Sequence, residues 1–414
     1  MKHRWLAGLS AFVVILGGTG QPVAWADDRI VSQPFVVATG LDQLKAEGFD
    51  GRGVTIAVID TRIDLSVPEL AGADIEVRAT CETGSRRHAT GVVSLLANQV
   101  WGWAPKAHYH LYAVSFFNDL AEGCEGNSED MIHRAINDGA DIISISGGTG
   151  EPWWTLIRAA LRGIPIVIGS GNDAEVLYPP LVMGYNNTLV NVGATDMSGV
   201  RSPYSQYGPG LTVVAPGNPI ACRGENSNGD LTFITYDCWG TSLSTPMVSG
   251  ALALAMQAWP QAHGNQLIAS LIASATRHGD GWNEEYGWGN LDAIELVHSD
   301  PSQFSTDSPL IDAIPGRGPT FQHFQDYINH TLDTSYGSVN PLDTDYQQRT
   351  FADYQGYKVP TDPVETPTPP TSPSDEPVNT PTVSRPWAWI VGGIVLLGVL
   401  VMMTAVLIRR RSTQ

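Results

Sequence analysis

Residues 54–60 read V-T-I-A-V-I-D, an unbroken apolar run that ends on an aspartate. A strand buried on both faces has this pattern, because a parallel strand between helix layers needs no polar alternation. Similar runs occur at 111–117, 141–146, 164–170, 188–194 and 211–215. Helical patterns lie between several of them, at about 88–97, 128–138 and 153–162. The alternation predicts an α/β fold, a mainly parallel central sheet covered on both faces. Residues 242–258 form a long apolar stretch that stops before Pro260, and 263–275 follow with helical spacing. The first reads as a buried central helix, the second as a further helix.

Carboxyl ends of strands are where sites form in open α/β sheets, and Asp60 stands at one. Two further stretches supply matching chemistry. His88, in R-H-A-T-G-V-V, opens a helical pattern, and Ser242, in G-T-S-L-S-T-P, opens the long apolar helix. A serine attacks a carbonyl, a histidine takes its proton, and a carboxylate orients the ring. Ser242 at a helix start also places a backbone N–H where positive potential meets an oxyanion. Asn172 follows the run 164–170 through Gly171 and offers a side-chain amide for the same charge. Each residue alone has a plainer reading: a turn aspartate, a solvated helix-start histidine, an N-cap serine and a turn asparagine. The four together, each at a strand or helix end, point to nucleophilic hydrolysis.

Composition narrows the alternatives. The chain has 414 residues, 43% hydrophobic and 16% charged, with a formal net charge of −19. That supports a large core and excludes nucleic acid as a partner, since phosphate recognition needs a basic surface. Lys2, His3 and Arg4 precede an apolar run, and Ala24-Trp25-Ala26 fits a cleavage site. Residues 1–26 therefore read as a signal peptide. Residues 387–408 carry no charge and, at about 1.5 Å per residue, suffice to span a bilayer. Arg409, Arg410 and Arg411 follow, which puts residues 409–414 in the cytoplasm and the rest outside.

Four cysteines suit that compartment: Cys81, Cys124, Cys222 and Cys238. Two disulfides are expected, and three pairings are possible. Cys222 and Cys238 flank one Gly/Asn-rich segment and are expected to close it, leaving Cys81 for Cys124. No CxxC or HxxxH spacing supports zinc at these cysteines. His108 and His110 alternate around Tyr109, and a wet strand entry is the plainer reading of that pair than a metal site. No cofactor or metal is expected. The domain boundaries read from these signals are an extension at 27–50, a catalytic domain at 51–300, and a linker at 301–386. The linker is acidic first and Pro/Thr-rich later, with the membrane helix after it.

From Gly51 to Ala293 the chain resembles the subtilisin-like serine proteases, the subtilases. The resemblance rests on G-V-T-I-A-V-I-D-T (53–61), G-W-A-P (102–105), I-I-S-I-S-G-G (142–148) and I-V-I-G-S-G-N-D (166–173). It continues through V-G-A-T-D (192–196), S-P-Y-S-Q-Y-G-P-G (202–210), V-A-P-G (214–217), G-T-S-L-S-T-P-M-V-S-G (240–250) and Y-G-W-G-N-L-D-A (286–293). It implies a subtilisin-like three-layer fold, an Asp60–His88–Ser242 triad, Asn172 in the oxyanion hole, and a peptide-binding edge at Ser146-Gly147-Gly148. It implies a protein or peptide substrate. The layout of the two ends resembles the mycosins, membrane-anchored subtilases associated with type VII secretion. The runner-up reading is a catalytically weak scaffold that stabilises a secretion complex.

Three positions depart from the family pattern. Arg62 and Ala89 stand where glycines are usual, and Gly147 stands where leucine is usual. Arg62 is expected to bring a cation near Asp60 and compete with His88. Gly147 is expected to loosen the peptide-binding edge.

Overall fold

A computed structural model describes residues 29–116, 122–148, 153–174, 186–314, 317–333 and 338–348. The signal peptide expected at 1–26, the Pro/Thr-rich part of the expected linker and the helix expected at 387–408 lie outside the described residues. Among the described residues no helix is long and apolar enough to cross a membrane.

The chain begins with two short helices, α1 (Phe35–Ala38) and α2 (Leu41–Ala46), then enters β1 (Thr55–Asp60). Next come β2 (Asp74–Ala79), α3 (Arg87–Ala97), β3 (His108–Ala113), α4 (Ser128–Asn137), β4 (Ile142–Ile145), α5 (Trp153–Leu161) and β5 (Ile166–Gly169). Then follow β6 (Leu189–Thr195), β7 (Val213–Pro216), a hairpin of β8 (Ile220–Glu225) and β9 (Leu231–Cys238), and α6 (Thr241–Ala258). The last elements are α7 (Gly264–Ser274), α8 (Ala293–His298), α9 (Phe321–Asn329) and α10 (Thr344–Gln348).

Seven strands form one parallel sheet in the order β2-β3-β1-β4-β5-β6-β7. The period-2 geometry of β1 divides its side chains between two cores. Ile56 and Val58 join the apolar cluster of α3, α6 and α7, whereas Ala57 and Ile59 join that of α4 and α5. That division makes the three layers. Helix α6 is apolar all round because it lies inside, buried nearly without break from Leu243 to Ala255.

Besides the β8–β9 hairpin, two strands differ from the sequence expectation. β3 starts at His108, earlier than the run at 111–117 suggested, because His110 is buried despite its polarity. β2 is an edge strand with mostly exposed or half-exposed residues, so it has no apolar run to find.

The stretch assigned to the linker from residue 301 packs onto the catalytic domain as far as residue 348. Ile311, Phe324, Tyr327 and Ile328 share a core with Trp154, Ile157 and Leu161 of α5. Beside it Arg158, fully buried, pairs with Asp343 at 3.2 Å and Asp345 at 3.1 Å, and Arg162 pairs with Asp345 at 2.6 Å. Buried aliphatic and aromatic side chains together with paired charges hold this segment.

The N-terminal extension is also tied down. Gln33 donates to the Ala221 carbonyl at 2.7 Å and accepts from its N–H at 3.1 Å. Trp101 donates to the Ile30 carbonyl at 2.7 Å. Glu69 accepts from the Ile30 N–H and forms a buried two-point pair with Arg223, joining the extension to the hairpin. Cys81 is joined to Cys124 and Cys222 to Cys238, the pairing expected.

Candidate active site

Asp60 closes β1 and is fully buried. Its Oδ1 accepts from the Thr61 N–H at 2.6 Å and from the Thr61 hydroxyl at 3.2 Å. The same oxygen lies 2.7 Å from His88 Nδ1. His88 is the second residue of α3, so a rigid element presents the ring. A carboxylate beside Nδ1 assigns the proton to that nitrogen and leaves the Nε2 lone pair for the cleft. The Asp60 charge holds His88 above the ordinary imidazole range, against burial and the Arg87 charge, which pull it down.

The first turn of α6 carries Ser242. Helix N-termini leave backbone N–H groups without intrahelical partners, and here Thr241 and Ser242 at that end line the cleft. Gly240 precedes the helix at φ 142°, a conformation that glycine adopts without a steric penalty. Pro246 lies inside the helix and has no N–H to give the Ser242 carbonyl four residues back. The Ser146 hydroxyl takes that place, donating to the Ser242 carbonyl at 2.9 Å. In return the Ser242 hydroxyl donates to the Ser146 carbonyl at 2.9 Å. No hydrogen bond joins Ser242 Oγ to His88 among the described residues, an arrangement common in sites without substrate.

Asn172 sits in the turn after β5. Its Oδ1 accepts from the Thr241 N–H at 2.9 Å and the Thr241 hydroxyl at 3.2 Å. With the oxygen held this way, the amide Nδ2–H is the group left for a developing oxyanion. Thr241 was not singled out from the sequence; its place beside Ser242 at the helix start was the available signal.

His88, Ser242, Asn172 and the edge Ser146–Gly148 line one cleft of about 680 Å³. Asp60 stands behind His88, outside the lining. The backbone of Ser146–Gly148 continues from β4 and can pair with an extended peptide as an added strand.

The departures from the family pattern fall out differently than expected. Arg62 does not compete for Asp60: its Nε donates to the Gly84 carbonyl at 2.7 Å. Ala89 is fully buried, and its N–H donates to the Thr61 hydroxyl at 3.3 Å, in the backbone of α3. At Gly147 the ring of Phe116 lies where a side chain would project, and an added Cβ would meet it at 2.3 Å. The edge is therefore covered by an aromatic ring rather than simply loosened. Phe116 escaped the sequence reading; the missing side chain at 147 was its only trace.

Residues 51–289 match the sequence profile of the subtilase family, peptidase S8. Subtilisin Savinase of Lederbergia lenta is 34% identical over 260 residues, covering 59% of this chain and 91% of that protein. The alkaline protease of Alkalihalobacillus alcalophilus is 32% identical over 286 residues, covering 64% of this chain and 71% of that protein. The crystal structure of MycP1 with its N-terminal propeptide removed superposes with a TM-score of 0.54 at 19% identity, covering 66% of this chain and 99% of that one. The prenylagaramide maturation protease PagA gives a TM-score of 0.51 at 24% identity, covering 62% and 98%. At these identities the two structural likenesses bear on the fold alone.

Proposed function

The chain belongs to the subtilase family, and from that premise we propose a serine endopeptidase tethered outside a cell membrane that works with a type VII secretion system. The protease activity rests on one observation: His88, Ser242 and Asn172 converge on a single cleft, with Asp60 bound behind His88. In the proposed cycle, a peptide lies along Ser146–Gly148 and displaces the Ser242 hydroxyl from the Ser146 carbonyl. His88 Nε2 takes the hydroxyl proton as Oγ attacks the scissile carbonyl, and Asp60 stabilises the imidazolium. Asn172 Nδ2–H and the Ser242 N–H receive the oxyanion. His88 returns the proton to the leaving amine, and water then hydrolyses the acyl-enzyme with His88 again as base.

The location rests on sequence: a basic and apolar start, a Pro/Thr-rich stretch, and residues 387–408 followed by three arginines. The secretion partner rests on the resemblance of that layout to the mycosins. A chain ending at Arg385 tests the tether. It is expected in the medium, whereas the full chain stays in the membrane fraction; equal partition of the two sinks the membrane assignment. Secretion by cells carrying Ser242→Ala tests the partner and role together.

The scaffold reading keeps one observation in its favour, the Ser242 hydroxyl engaged by Ser146 rather than by His88. Under that reading Ser242→Ala supports secretion as well as the wild type does.

A further inference from the structure

At one edge of the sheet, β2 and β3 carry a second constellation. β2 and β3 run parallel with Asp74 opposite His108 and Glu76 opposite His110. Residues two apart on a strand share a face, so the four side chains form a square on one side of the sheet. Glu76, His108 and His110 each bring one ligand atom within 4.8 Å of the others.

The contacts around these atoms suit a cation. His108 Nδ1 lies 3.0 Å from Asp74 Oδ2, a charge contact that turns this nitrogen to the carboxylate and leaves Nε2 toward Glu76. His108 Nε2 is 3.9 Å from Glu76 Oε2, and His110 Nε2 is 4.0 Å from the same oxygen. A carboxylate orienting a histidine from its far nitrogen is the usual outer partner of a metal-bound imidazole. His110 is buried, its Nδ1 has no hydrogen-bond partner among the described residues, and its Nε2 lies 3.1 Å from Arg78.

A cation already stands at the focus. Arg78 reaches Glu76 Oε2 at 3.1 Å with the same nitrogen that meets His110. It is one-third exposed, so its guanidinium has a route to solvent.

We propose that Glu76, His108 and His110 bind a divalent transition metal, zinc foremost, which displaces the Arg78 guanidinium and staples edge strand β2 to β3. Two imidazoles and one carboxylate are a zinc donor set rather than a calcium one. Tetrahedral zinc with bonds near 2.0–2.1 Å separates its ligand atoms by roughly 3.4 Å, so Glu76 must close on each imidazole by about half an ångström and the two imidazoles on each other by up to about 1.4 Å. Glu76, half exposed, and His108, partly exposed, have the freedom to supply that movement. The role is structural. His108 pairs with Thr55 at the start of β1, five residues from Asp60 at its end, which is roughly 17 Å along the strand.

The test is calorimetric titration of zinc into the chelator-treated full-length chain near neutral pH, with thermal unfolding and peptide cleavage measured in parallel. One zinc per chain is expected, with a rise in Tm. His108→Ala and Glu76→Gln, at a partly exposed and an exposed side chain, are expected to weaken binding by about tenfold or more and to abolish the rise. Cleavage by these variants stays at the wild-type level without metal. Arg78→Ala is expected to tighten binding, because it removes the competing cation. His88 remains in every variant, so zinc held there would persist undiminished in His108→Ala. That result, or no zinc binding by the wild type, overturns the proposal; weaker binding by Arg78→Ala overturns the displacement.

Discussion

Ser146 and Ser242 exchange two hydrogen bonds, each hydroxyl donating to the other's carbonyl at 2.9 Å. Pro246 is the cause of one of them, since it leaves the Ser242 carbonyl without a helical donor. The exchange fixes the peptide-binding edge against the start of α6. Ser146→Ala is expected to lower stability by about 1–3 kcal/mol, the scale for leaving a sheltered polar group unpaired. Chemical unfolding of the two chains checks this, and identical midpoints would contradict it.

His88 gives the activity its pH dependence. Only the neutral ring accepts the serine proton, and Asp60 raises its pKa. Cleavage is therefore expected to fall as pH drops through a midpoint above about 6.5. For stability the sign is opposite: the raised pKa means that the protonated pair stabilises the fold at low pH, and this contribution is lost as pH rises through the folded value. Asp60→Asn is expected to cut kcat about ten-thousand-fold. It also moves the midpoint down, since burial and Arg87 then act alone. A pH–rate profile of both chains decides the point.

Asn172 has its carbonyl oxygen occupied by Thr241 and its amide turned to the cleft. Asn172→Ala is expected to lower kcat by about 10²–10³ with KM nearly unchanged, because the donor serves the transition state. A fall confined to KM would place Asn172 in ground-state binding instead.

Phe116 and Gly147 are expected to be coupled. Gly147→Ala forces a Cβ into the ring, a loss of about 1–3 kcal/mol by overpacking. Phe116→Ala in the same chain is expected to restore stability, with an interaction energy of at least about 0.5 kcal/mol in a double-mutant cycle. Additive losses would show that the ring yields freely.

The sequence was most legible where burial is two-sided. The run at 54–59 located β1 and put Asp60 at its end, because a central parallel strand has no reason to be polar. β2 and the β8–β9 hairpin stayed hidden, since edge and surface strands carry polar residues such as Asp74, Glu76 and Asp237. The segment after residue 301 reads as linker because its core residues, such as Ile311, Phe324, Tyr327 and Ile328, are sparse among polar ones and its anchor is ionic. Arg158, Asp343 and Asp345 look like solvated surface until the fold brings them together. The roles of Phe116 and Thr241 depend on contacts between distant segments, which local patterns do not encode.

Fluorophosphonate labelling of the purified full-length chain, beside Ser242→Ala and Asp60→Asn, tests the central claim most directly. An assembled triad predicts rapid labelling of the wild type, much slower labelling of Asp60→Asn and none of Ser242→Ala. A folded, oxidised wild-type chain that takes up no label, or labels as well without Ser242, would contradict the account.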